Sequence, residues 1–356
     1  MKLKNVMENK KVDGVLITNK YNLRYFTGFT GTTGIALATA KNRYFFTDFR
    51  YVQQANTQVV PNGFEVVKVE RNALDGVSEY IKKDKIKKLG IEDKDVTIEY
   101  LNSLKKRIEN VEFINLEDEL IKLRMVKSEE EIEKIKSAIR ISDIAFTEIQ
   151  SKIKEGIKEN EVAAELEYVM RKNGASDKSF ETIVASGYRS AMPHGVASEK
   201  KIGKNEFVKM DFGCYNNGYV SDMTRTVFYG DEPTAKHKEI YYTVLEAQKL
   251  AISKVKAGMK ASDLDKIARD YITEKGYGEN FGHGLGHGIG LEIHEAPTVS
   301  TKGDIILEEN MLITIEPGIY IEGFGGVRIE DDVVVKKDGC EVLNKSFKDE
   351  LIVIKS

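Results

Sequence analysis

The chain of 356 residues is 41% apolar and 31% charged, with a formal net charge of −3; this is the balance of an ordinary globular protein, and the length suggests two domains. Basic and acidic residues are mixed along the chain, without the basic footprint of a nucleic-acid binder, and no apolar stretch approaches the length of a membrane span. Cys214 and Cys340 make neither a disulfide framework nor a CxxC motif, and the N-terminus, charged through Lys11, has no apolar signal-peptide core. The expected location is therefore the reducing cytoplasm.

In chain order, the runs GVLIT (14–18), GIALAT (34–39), YFFT (44–47), FEVVKV (64–69) and KLGI (88–91) read as strands. Residues 74–83 and 98–108 between them carry apolar residues at helical spacing. Alternation of this kind predicts an α/β domain. The composition then changes. Ser128 and Glu131 form a capping box that opens an amphipathic helix running to Lys154. Its buried face is Ile132, Ile135, Ile139, Phe146, Ile149 and Ile153. A second helix runs from Asn160 to a glycine stop at Gly174. Later helices are expected over 234–255 and 262–275, the last stopped by Gly276. Strand-like segments separate them, so residues 125–356 read as an α+β domain following an α/β domain over residues 1–124.

Three segments of the second domain carry chemistry. In EFVKMDFGCYNNGYVSDMTRTVFYG (206–230) a turn centred on Asn216 and Asn217 would face Asp211 with Asp222 across a hairpin. Such carboxylates repel unless they are solvated or a cation lies between them. In NMLITIEPGIYIEGFGGVRIEDDVVV (310–335) Glu316 and Glu330 lie equidistant from Gly323. Asp211-Phe212-Gly213 and Glu316-Pro317-Gly318 end apolar strands in the same way, so the two hairpins read as a duplicated half-site. Between them, FGHGLGHGIGLEIHEAP (281–297) has too many glycines for a helix, and glycine lets backbone approach a metal or ligand closely. His287 and His294 are an odd number apart, which in an extended chain points them to opposite faces. Of five histidines, His194, His283, His287 and His294 lie in or near these segments and only His237 lies outside. Oxygen-rich ligation with one imidazole suits Mn²⁺, Co²⁺, Fe²⁺ or Zn²⁺. Two such ions about 3.5–4 Å apart are the arrangement of dinuclear hydrolases.

The runs IVASGYRSAMPHG, MDFGCYNNGYVSDMTRT, GHGLGHGIGLEIHEAP, ITIEPGIY and GGVRIEDD resemble the proline-specific metallopeptidases of the pita-bread fold, Xaa-Pro aminopeptidase and Xaa-Pro dipeptidase (prolidase). YNLRYFTGFTGTTG, FFTDFRYVQQA and LRMVKSEEEI resemble their N-terminal domain and its join to the catalytic domain. The resemblance implies a creatinase-like α/β domain followed by a pita-bread domain with pseudo-twofold halves. It implies two divalent metal ions, Mn²⁺ first among the candidates. Asp211 would chelate one ion, Asp222 and Glu330 would bridge both, and His287 and Glu316 would complete the second site. A bridging hydroxide would attack the carbonyl before proline with Glu316 as general base. His194, His283 and His294 would line the substrate site, and Arg328 would support the bridging carboxylates. The implied substrates are proline-containing peptides, and the implied assembly is a homodimer.

Dipeptidases of the family are similar in carrying an arginine just after the HExP run, where it clamps the dipeptide carboxylate. Here Thr298 follows Pro297, so the expectation is an Xaa-Pro aminopeptidase, with the dipeptidase as alternative. Creatine-hydrolysing and peptide-binding members of the fold have lost metal ligands, whereas all five are intact here. Methionine aminopeptidases usually lack the N-terminal domain.

Overall fold

The computed structural model describes residues 2–70 and 72–355. Met1 and Ser356, the outer bounds expected for the two domains, and Arg71 lie outside the described residues. The chain forms two compact units, Met1–Arg124 and Met125–Ser356.

The first unit contains α1 (Lys2–Lys10), β1 (Gly14–Ile17), α2 (Lys20–Thr27), β2 (Ile35–Thr39), β3 (Arg43–Thr47), α3 (Val52–Gln58), β4 (Glu65–Lys68), α4 (Ala73–Lys83), β5 (Lys88–Ile91), α5 (Ile98–Lys105), β6 (Glu112–Asn115) and α6 (Glu117–Met125). Its six-stranded sheet has the order β4-β3-β2-β1-β5-β6. The strand period of two sorts its side chains into two cores. Val15, Ile17, Ala36, Ala38 and Phe45 face one; Leu16, Leu37, Tyr44 and Phe46 face the other. A sheet buried on both faces explains why its strands read as unbroken apolar runs. The short polar-edged β6, absent from the sequence expectation, pairs with β5 at the sheet edge.

The second unit is built from a repeat. Its first half runs α7 (Glu129–Ile149), α8 (Glu159–Lys172), β7 (Asp177–Lys178), β8 (Ile183–Ser186), β9 (Glu206–Phe212), β10 (Cys214–Asn216), β11 (Tyr219–Val220) and β12 (Met223–Tyr229). Its second half runs α9 (Ala235–Lys254), α10 (Ala261–Glu274), β13 (Gly286–Gly288), β14 (Glu295–Val299), β15 (Leu312–Ile315), β16 (Gly318–Ile321), β17 (Gly325–Arg328), β18 (Asp331–Lys336) and β19 (Gly339–Val342), with β20 (Val353–Ile354) returning to pair with β12. Each half supplies two helices and then an antiparallel row of three strands, β8-β9-β12 in one and β13-β15-β18 in the other. This is the duplicated α+β architecture expected from the two matched hairpins.

The Ser128–Glu131 capping box opens α7 as expected. All six apolar residues of its expected face are buried. The helix nevertheless ends at Ile149 rather than Lys154, because the Lys152 N–H turns back to the Ile149 carbonyl; Ile153 reaches the same core from beyond the turn. That core joins Ala145, Phe146 and Ile149 of α7 to Val184, Val208, Met210, Phe212 and Val227 of the sheet, and includes Cys214.

Candidate metal centre and active site

The two hairpins set the carboxylates. β15 and β18 pair Ile315 with Asp331, and β16 and β17 pair Gly318 with Arg328. Both registers are centred on Gly323, which has φ +75°, so Glu316 and Glu330 flank that centre symmetrically as expected. The turn of the other hairpin lies one residue beyond its expected centre, which shifts the register by two. Asp211 pairs with Thr224, not with Asp222. The turn lies on Asn217 and Gly218, whose φ values of 52° and 83° are the pair of positive angles that a tight hairpin turn requires. Asp222 falls in the break between β11 and β12 and is held there by its N–H, which donates to Asp332 Oδ2 at 3.2 Å.

The glycine-rich strip passes between backbone segments. A Cβ on Gly286 would collide with the Thr314 carbonyl, and one on Gly288 with the Ala296 carbonyl. Only glycine permits this approach, and it delivers His287, whose N–H donates to Thr314 Oγ1 at 3.1 Å. His287 Nδ1 lies 3.1 Å from the Gly288 carbonyl. That acceptor places the proton on Nδ1 and leaves the Nε2 lone pair facing outward. Nε2 is 3.4 Å from Glu316 Oε1 and 3.6 Å from Asp222 Oδ2. Asp222, His287 and Glu330 each offer a ligand atom within 4.8 Å of one another. The His287 and His294 rings are 4.5 Å apart, which corrects the expectation of opposite faces. The chain between them is not extended: Glu295 Oε1 accepts from the Leu291 and Glu292 N–H groups, each at 3.1 Å, and folds it back.

Arg328 lies at the centre of the remaining contacts. Its Nη2 donates to Asp211 Oδ2, its Nε lies 3.8 Å from Glu316 Oε2 and also donates to Thr224 Oγ1 at 3.0 Å. The Thr224 hydroxyl in turn donates to Glu330 Oε2 at 2.7 Å. Arg328 Nη1 donates to the Tyr320 hydroxyl at 2.8 Å, which is 2.8 Å from His283 Nε2. The Gly284 carbonyl, 2.8 Å from His283 Nδ1, takes the other side of that ring. His194 and His294 are exposed, and His194 lies close enough to His283 to act on it electrostatically. His237 packs among Phe207, Phe228 and Phe324, away from this group.

The electrostatics favour a cation. Burial and the neighbouring Glu330 hold Asp222 well above the usual carboxylate range. Burial, with Glu316 and Asp211 nearby, does the same to Glu330. Burial, partly offset by Arg328, pushes Glu316 up to about 7. Burial and His294 push His287 down to about 4, and burial and Arg328 push His283 down to about 3. Both imidazoles are thus neutral near pH 7. Asp211 Oδ1 and Glu330 Oε1 are buried without a hydrogen-bond partner. Unpartnered carboxylate oxygens near an imidazole lone pair fit a divalent cation.

Thr224, Thr314 and Tyr320 were not among the expected site residues. Thr224 lies two residues from Asp222, Thr314 two from Glu316 and Tyr320 four from Glu316, and this even spacing is the one sequence signal that points to them. Lys209, fully buried beneath the site, has no comparable sequence signal beyond the same spacing from Asp211.

Residues 133–337 match the model of metallopeptidase family M24, and residues 1–126 match the creatinase/prolidase N-terminal domain. An Xaa-Pro dipeptidase of Pyrococcus horikoshii is 42% identical, over 96% of this chain and 95% of its own. The structure of an Xaa-Pro dipeptidase from Bacillus anthracis superimposes with a TM-score of 0.95 at 50% identity, covering 99% of this chain and 98% of that one. An X-Pro aminopeptidase from Thermotoga maritima does so with a TM-score of 0.92 at 43% identity, covering 99% and 98%. Among the described residues, no helix is long and apolar enough to cross a membrane. The fold, the acid-and-imidazole cluster and these likenesses converge on one assignment: the chain belongs to metallopeptidase family M24.

Proposed function

We propose that this chain hydrolyses the peptide bond between an N-terminal residue and a following proline, using two divalent metal ions, Mn²⁺ before Co²⁺, Zn²⁺ or Fe²⁺. The observation that carries the reading is the cluster of Asp222, His287 and Glu330, whose ligand atoms lie within 4.8 Å of one another, with Glu330 Oε1 buried and unpartnered. Asp211, Asp222, His287, Glu316 and Glu330 would hold the ions. The ions, when bound, supply an activated water and polarise the scissile carbonyl. Glu316, beside His287, would take the proton of the attacking water and pass it to the leaving nitrogen. Proline contributes a nitrogen without N–H, so the site must hold the ring by shape. His283, held by Tyr320, and the exposed His194 and His294 form the wall against which the peptide lies. Arg328 keeps the repelling carboxylates in place through Asp211 and Thr224.

Thr298 supports the aminopeptidase form of the reading. It pairs with His287 across β13 and β14, which places both side chains on one face, and it is exposed. A cation at this position would meet a dipeptide carboxylate; a threonine leaves room for a longer chain. The relatives named Xaa-Pro dipeptidase favour a second reading, in which dipeptides are preferred. One experiment separates them: kcat/KM for Xaa-Pro dipeptides and Xaa-Pro-Xaa tripeptides, before and after exhaustive chelation. The expected result is a tripeptide preference, abolished by chelation and restored by Mn²⁺. A dipeptide preference would reassign the chain as a prolidase, and activity surviving chelation would remove the metal mechanism.

A further inference from the structure

Lys209 is one of the largest fully buried side chains, and it makes no ion pair among the described residues. A buried ammonium without a carboxylate is unfavourable, and an apolar side chain of similar volume would fill the space without that penalty. Its three donors have three places to go. Nζ is 2.6 Å from the Met192 carbonyl, 3.4 Å from the Pro193 carbonyl and 4.9 Å from the centre of the Tyr320 ring. Arg328 Nη1 also donates to the Pro193 carbonyl, at 3.1 Å. Two buried basic side chains therefore hold the two consecutive carbonyls that precede His194.

The ends of the same loop are tied separately. Glu159 accepts from the N–H groups of Ser186 at 2.7 Å and Ser198 at 3.2 Å, and pairs with Arg189. Arg189 Nη2 donates to the Val196 carbonyl at 2.9 Å. These contacts close the loop at its base, and Lys209 and Arg328 join the Gly195 N–H, which donates to the Met192 carbonyl at 3.1 Å, in holding its middle, where His194 is exposed. Lys209 comes from β9, two residues before Asp211, so one strand carries both a candidate metal ligand and the tether of a substrate-side histidine.

We infer that Lys209 is a positioning residue that acts through His194, fixing its imidazole on the side of the site near His283 by gripping the Met192 and Pro193 carbonyls. The inference rests on the proposed peptidase activity. Lys209→Met keeps the volume and removes the donors. It should lower kcat/KM toward an Xaa-Pro substrate by about 10- to 100-fold, the scale of a displaced supporting contact, with metal content unchanged. In a His194→Ala background the same change should cause little further loss, because the group it positions is already gone. Lys209→Gln, which retains an N–H donor, should recover part of the rate. If the Met variant does not fold, the Gln variant serves in the same cycle, with a smaller loss that again disappears without His194. The imidazole resonance of His194 in the zinc-loaded protein, identified by its loss in His194→Ala, should shift in Lys209→Met.

Wild-type rate in Lys209→Met, an undiminished loss in the His194→Ala background, or an unmoved His194 resonance would each overturn the positioning role. A wild-type protein inert toward Xaa-Pro peptides would instead overturn the activity, and the resonance would still decide whether Lys209 positions His194.

Discussion

Asp222 and Glu330 are 4% and 1% exposed and surrounded by like charge, so in the metal-free chain each holds its proton more tightly than an ordinary carboxylate. A carboxyl whose pKa is raised by folding stabilises the fold below its unfolded value, and that stability is lost as pH rises through the folded value. For Glu316 the window runs from its ordinary 4.5 to about 7. His283 and His287, pushed down to about 3 and 4, hold no proton in most of that window. Metal uptake near pH 6 should therefore release protons from the carboxyl groups, and affinity should rise with pH. Titration calorimetry in two buffers of different ionisation enthalpy measures the release directly. Glu330→Gln removes one of the repelling acids, so its metal-free form should melt no lower than wild type, while metal occupancy falls and kcat drops by about 100-fold or more. A Gln variant with wild-type occupancy and proton release would place Glu330 outside the metal centre. The candidate ligands were legible because acids at strand ends and histidines among alternating glycines are unusual. Strand period puts Thr224 and Tyr320 on the site face, but their role was not legible, because a hydroxyl in a strand looks the same whether it supports a carboxylate or a neighbouring strand.

At the level of elements, the legible features were those with one physical solution. Gly323 is the sole centre that makes Glu316 and Glu330 equidistant, and its hairpin has the expected register. Asn216, Asn217 and Gly218 are all turn formers, and composition does not decide which adjacent pair takes positive φ; the structure chooses Asn217 and Gly218, one residue from the expectation. The tethers of the histidine segments are contacts between residues distant in sequence and leave no local pattern. Each half ties such a segment to its second helix: Glu159 on α8 with Arg189, and Asp265 on α10 with Arg269. Asp265 is fully buried; its Oδ1 accepts from the Leu285 N–H at 3.0 Å and its Oδ2 from Arg269 Nε at 2.8 Å. Arg269 donates onward to the Phe281 and His283 carbonyls, at 2.9 and 2.7 Å. A strip with five glycines between residues 282 and 290 has high entropy when free, and this clamp restricts it. Asp265→Ala should lower stability to urea by about 2–3 kcal/mol, less than a wholly buried pair because Arg269 keeps some exposure. It should also lower kcat/KM by loosening His283. Asp265→Asn, whose amide oxygen still accepts from Leu285, should fall between. An unchanged urea midpoint in the Ala variant would mean that another contact holds the strip.

On the scale of the whole molecule, every candidate ligand belongs to the second unit and the two halves of its repeat share the set. Asp211 and Asp222 come from the first half; His287, Glu316 and Glu330 come from the second. The four carboxylates repel across the line where the halves meet, so metal-free halves are held together by packing against an electrostatic penalty. Bound ions reverse the sign of that interaction and act as a tie between halves. Binding to the folded state alone stabilises it by mass action, about 2.7 kcal/mol when free metal is about 100 times its Kd. Amides that exchange only when the unit opens should then exchange about 100-fold more slowly. Hydrogen exchange should show this gain in both strand rows at once, β8-β9-β12 and β13-β15-β18, and Asp222→Asn should diminish it in both. Protection confined to the second row would mean that the ions rest on His287, Glu316 and Glu330 alone, and that the acids of the first hairpin have another use. Equal protection in both rows would make the duplicated architecture itself part of the metal site, since neither half carries enough ligands to hold two ions and each supplies the charge that the other must have neutralised.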